Sequence, residues 1–79
     1  MMIPQVKIDF KKNILKINRE TIEFDDVQNI VFYERGNKLF MDIVGRRWKN
    51  VTLEVNEIGF AMRMIMILKN EFGEKVRIR

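Results

Sequence analysis

The chain has 79 residues, 47% of them hydrophobic and 33% charged, with a formal net charge of +4. It contains no Cys, His or Ser, which excludes disulfides, thiolate metal sites and imidazole acid–base chemistry. The remaining nucleophiles, two Thr, one Tyr and the Lys and carboxylate side chains, have no identifiable base beside them, so we expect no enzyme and no cofactor.

So short a chain makes one domain, residues 1–79, and buries only about 60% of its extended surface. No basic start precedes a long apolar run in MMIPQVKIDF, so a secretory leader is not expected and the protein is expected to be cytoplasmic. The longest near-apolar run, Ile58 to Leu68, is interrupted by Arg63 and reaches about half the ~20 residues that a membrane span requires. Residues 45–55 carry three basic residues against one acidic, and residues 75–79 carry three with none opposing, while Asp25 to Val44 is net negative.

Val6, Ile8 and Phe10 alternate with Lys7 and Asp9, the period-2 pattern of a half-buried strand. Lys11-Lys12-Asn13 reads as a polar turn, and a second strand follows at Ile14 to Asn18 with Leu15 and Ile17 inward. Arg19-Glu20 interrupts the pattern, which resumes at Ile22 and Phe24. Asp25-Asp26 comes next. Paired acids can share a proton or hold Mg²⁺, but neighbouring residues of a strand face opposite ways and no third ligand is evident, so a turn is expected instead.

In IVFYERGNKLFMDIV, a two-residue loop at Gly36-Asn37 sets Arg35 against Lys38, Phe32 against Met41 and Ile30 against Ile43. The last two pairs form a core face. The other face shows Tyr33 opposite Phe40 and Val31 opposite Asp42, either as a binding platform or as the second wall of a small barrel. A further strand is expected at Val51 to Val55, with Ile43 opposite Val51. That register leaves Arg46, Arg47 and Trp48 as the loop, flanked by Lys49. Guanidinium groups fork onto phosphate oxygens and an indole offers a stacking face for a nucleobase; the same residues also suit an anionic membrane surface, or Trp48 folds back as a lid.

Asn56 to Gly73 is expected to be the one long helix, with Asn56 as N-cap, Lys69 in the last turn and Gly73 closing it. At 100° per residue Ile58, Ala61, Met62, Ile65, Leu68 and Phe72 share one side, the expected core face. Phe60, Met64 and Ile67 widen the apolar arc beyond what one sheet requires. That surplus is expected to be buried by the chain itself or by a second copy in a homodimer, or to form a groove for another protein or a lipid, and Phe60, Met64 and Ile67 are its candidate partner interface. After the helix, Val76 and Ile78 alternate with Lys75, Arg77 and Arg79, which fits an edge strand with outward cations.

Short strands joined by tight turns and followed by one helix give an α+β fold. We expect a curved antiparallel sheet of about five or six short strands with one C-terminal helix packed across it and a short terminal strand. Over residues 14 to 72, IEFDDVQNIVFYERGNKLFMDIV, VTLEV and the helix resemble small bacterial pleckstrin-homology-like domains, whose meander ends in a C-terminal helix. The basic aromatic hairpin and the helix also resemble PC4-like single-stranded-DNA-binding domains of transcriptional coactivators, which dimerise through a helix. Neither resemblance carries a residue role.

Two functions follow as expectations. One is nucleic-acid binding through Arg46, Arg47, Trp48 and Lys49, with Arg77 and Arg79 joining them if the terminal strand lies near the tip. The other is protein interaction or assembly through the apolar helix surface.

Overall fold

The computed structural model describes residues 6–47, 50–55 and 57–79. Among the described residues two sheets and one α-helix enclose a single core. The first sheet is an antiparallel meander of β1 (Val6–Asp9), β2 (Ile14–Ile17) and β3 (Glu20–Glu23). Its first turn is held by Asp9, whose Oδ1 accepts from the backbone amides of Lys11 and Lys12 at 3.0 and 3.1 Å. Asn13 and Asn18 take φ of 56° and 54°, a left-handed conformation that Asn tolerates better than most residues, so each reverses the chain without glycine.

Asp25-Asp26 does form a turn, a short 3-10 segment from Phe24 to Asp26. The longest hairpin follows, β4 (Val27–Arg35) and β5 (Lys38–Gly45), joined by Gly36-Asn37. Its register is the one read from the sequence: Arg35 with Lys38, Phe32 with Met41, Ile30 with Ile43 and Tyr33 with Phe40. Gly36 supplies the φ of 64° that the tight turn needs. β6 (Val51–Glu54) then pairs with β5, Ile43 opposite Val51, and the amide of Val55 donates to the carbonyl of Leu39 at 2.7 Å.

The helix, α1 (Ile58–Phe72), leads to β7 (Val76–Ile78). β7 pairs with β4, and it does so in parallel, Ile30 opposite Val76 and Phe32 opposite Ile78. The second sheet therefore has the order β6-β5-β4-β7. β6 and β7 run the same way at its two edges, and α1 is the crossover between them. The α+β architecture matches the sequence reading, with two differences: the strands divide into two sheets, and the last pairing is parallel. The local pattern of VRI identifies a strand, but strand direction is set by the helix that carries the chain back across the sheet.

The core comprises Leu15, Ile17 and Ile22 of the first sheet, Ile30, Phe32, Met41, Ile43 and Leu53 of the second, and Ala61, Met64 and Leu68 of α1, with Phe24, Val27, Val55 and Val76. Phe24 joins the layers, its ring edge-on to Phe72 at 5.1 Å and to Phe10 at 6.2 Å.

The helix is rotated from the expected orientation. Ala61, Met64 and Leu68 are buried, with Phe60, Ile65 and Phe72 half-buried beside them, whereas Ile58 and Met62 are exposed. The core line is turned by about 50°, half of one 100° residue step. An apolar arc this wide does not select its own orientation. The tethers at each end do, Val55 in the sheet and Gly73 at the turn into β7. The expected N-cap, Asn56, lies outside the described residues.

Candidate nucleic-acid interface

The tip between β5 and β6 begins with two cations. The amide of Arg46 donates to the carbonyl of Asp26 at 2.9 Å, which fixes the tip level with the start of β4. The guanidinium of Arg47 donates through Nε and Nη2 to one oxygen of Asp26, at 3.2 and 2.9 Å. That hydrogen bond, with the carboxylate's charge, raises the Arg47 pKa above its ordinary value. Arg47 is thus engaged with Asp26, and Arg46 presents an exposed cation. Trp48 and Lys49 lie outside the described residues.

The second basic cluster lies elsewhere. Arg77 is opposite Val31, and the amide of Arg79 donates to the carbonyl of Phe32 at 2.8 Å. Asp26 and Phe32 are six positions apart on the chain, so at ~3.3 Å per residue the tip and Arg79 are about 20 Å apart along the sheet. Arg46 and Arg47 therefore do not merge with Arg77 and Arg79 into one surface. Instead, the parallel placement of β7 brings Arg77 and Arg79 to the end of the sheet that carries Arg35 and Lys38.

That end bears the aromatic pair. Strand alternation puts Val31, Tyr33 and Arg35 of β4, Lys38, Phe40 and Asp42 of β5, Thr52 and Glu54 of β6, and Arg77 of β7 on one face. The helix and the three-stranded sheet pack on the opposite face, where the buried residues of both sheets and α1 meet. Tyr33 and Phe40 stack at 5.5 Å with their planes 23° apart, both half-buried.

Charge divides across this outer face. On the β5–β6 side, the Thr52 hydroxyl donates to the Asp42 carboxylate, and Lys38 Nζ lies 3.5 Å from Glu54. On the β4–β7 side stand Arg35, Arg77 and Arg79, all exposed. The sequence indicates the two aromatics as a platform, with Arg35 on the same hairpin, but not Arg77 and Arg79, because those arrive through a pairing between residues 30 and 76.

The remaining candidates separate. Asp26 holds Arg47, while Asp25 lines an open cleft with Asn13, Phe24, Glu71, Phe72 and Lys75. Among the described residues no three acidic groups converge to hold a metal ion. Of the expected partner interface, Met64 is 5% exposed and belongs to the core. Phe60 is half-buried, and Ile67 alone of the three is exposed. These three residues therefore do not form a joint surface, because the turn of the helix carries Met64 onto the sheet.

No protein-family model matches the chain, and neither a curated protein nor a solved structure matches it. Among the described residues no helix is long and apolar enough to cross a membrane.

Proposed function

We propose that this protein is a small non-enzymatic module that binds single-stranded nucleic acid on the outer face of the four-stranded sheet, acting inside the cell where such strands are found. Tyr33 and Phe40 form the stacking surface, and Arg35, Arg77 and Arg79 neutralise the phosphates. The stacked ring pair beside three arginines, on a sheet face turned away from the core, carries this reading.

An aromatic ring on an open sheet accepts any base with its π-face exposed, and guanidinium groups supply the backbone contacts. A duplex keeps its bases stacked on one another, so the surface selects a single strand. The carboxylates of Asp42 and Glu54 repel phosphate from the β5–β6 side, so the backbone follows β4 and β7. Arg46, about 20 Å further along the sheet, extends the cationic path for longer strands.

The test is fluorescence anisotropy with labelled single-stranded oligonucleotides over a range of salt. Tyr33→Ala and Phe40→Ala should each lower affinity about 10-fold, the scale of one lost base–ring stack. Arg77→Ala with Arg79→Ala should lower the slope of log K against log salt by about 1.4, or ~0.7 per lost phosphate contact to a single strand. Saturable binding that is indifferent to Tyr33 and Phe40 would remove the platform, and no binding at low salt would remove the function.

A further inference from the structure

The helix carries a second exposed surface, independent of the outer sheet face. Ile58, Met62 and Met66 are 74, 58 and 71% exposed. Spaced four residues apart, they form one line along α1. Largely exposed side chains of this size, lined up on one helix, are unusual on a monomer.

The ends of the line carry opposite charge. A Cβ built on Gly59 would meet Glu57 Oε1 at 3.6 Å, so that carboxylate sits beside the N-terminal end of the stripe. Lys69, exposed, stands at the other end, about 18 Å from Glu57 along the helix axis.

We infer that a second copy of this chain covers the stripe, the two α1 helices packing antiparallel about a two-fold axis near Met62. The charges select this arrangement. Antiparallel helices bring Glu57 of one protomer to Lys69 of its partner, twice over, whereas parallel helices set like charges together. Position 63, midway between them, is adjacent to the centre of the Ile58–Met62–Met66 line, so apolar and ionic registers coincide.

Charge also disfavours other occupants. The stripe carries one sign at each end, Glu57 at the first and Lys69 at the last, so a second copy meets complementary charge at both ends whereas an anionic lipid surface meets a repelling carboxylate at one. A standard interface buries roughly 800 Å² per partner. The stripe supplies its apolar centre, and Arg63 and Asn70 join Glu57 and Lys69 in a polar rim.

Sedimentation equilibrium of the full chain across a dilution series tests this. The expected result is a reversible monomer–dimer equilibrium, with Met62→Glu raising the dissociation constant on the order of 100-fold and leaving the far-UV circular dichroism unchanged. Glu57→Lys and Lys69→Glu should each weaken the dimer, and the double variant should recover it. A monomer at every concentration overturns the proposal, as does a Met62→Glu variant that dimerises like the parent. Single charge variants that dimerise unchanged overturn the antiparallel arrangement. If phosphatidylglycerol vesicles sediment the parent monomer but not Met62→Glu, the occupant is a lipid surface and the proposal also fails.

Discussion

Gly73 takes φ of 60° and ψ of −123° as its amide donates to the carbonyl of Lys69, a combination that L side chains rarely adopt. Gly73→Ala should therefore cost about 1 to 3 kcal/mol, although a Cβ there would meet nothing within 4 Å. Urea denaturation checks this, and an unchanged midpoint would show that the turn relaxes freely. Arg47 is a contrasting case. Its pKa is raised by Asp26, so on the guanidinium side the stabilisation is fully present below the ordinary arginine value and is lost only as pH rises through the raised one. Arg47→Ala should accordingly leave the melting temperature nearly unchanged at neutral pH, because exposed pairs contribute little. Gly36 and Gly73 were legible as turn residues because their surroundings called for positive φ. The partnership of Arg47 with Asp26, 21 residues apart, had no signature in the sequence.

At the scale of elements, the rotation of α1 separates two methionines two residues apart. Met64→Ala should cost about 2 to 5 kcal/mol through a cavity against the sheet. Met62→Ala should stay within about 0.5 kcal/mol when measured on the monomer. A larger loss at Met62 than at Met64 would indicate that the helix sits as its hydrophobic periodicity alone suggests. The β4–β5 hairpin was legible residue by residue, because Gly36-Asn37 and the period-2 pattern specify the same register. The helix existed on the page but its orientation did not, since an apolar arc including Ile58, Met62, Met64 and Ile67 fits several rotations. The outer-face site was half legible: Tyr33 and Phe40 followed from the hairpin, whereas Arg77 and Arg79 joined them only through the parallel strand.

For the whole molecule, the helix and the aromatic face lie on opposite sides of the four-stranded sheet. A dimer built on α1 therefore leaves both outer faces open and directs them away from each other. Such a pair is bivalent, and a strand long enough to reach both faces should bind more tightly than one reaching only the first. The expected titration is a rise in affinity past a threshold oligonucleotide length, abolished by Met62→Glu. A smooth dependence on length, unaffected by that substitution, would mean that the faces work independently.

The parallel pairing of β7 also orders events in time. Ile30 and Val76 are 46 residues apart, whereas β4 and β5 meet across a two-residue turn. Closing the longer loop carries the larger entropic cost, so the hairpin should be formed at the rate-limiting barrier and β7 should dock after it. Val76→Ala should then accelerate unfolding and leave the folding rate unchanged, while Met41→Ala should slow folding. Stopped-flow measurements across denaturant distinguish the two limbs. A folding rate reduced by Val76→Ala would place the docking of β7 before the barrier.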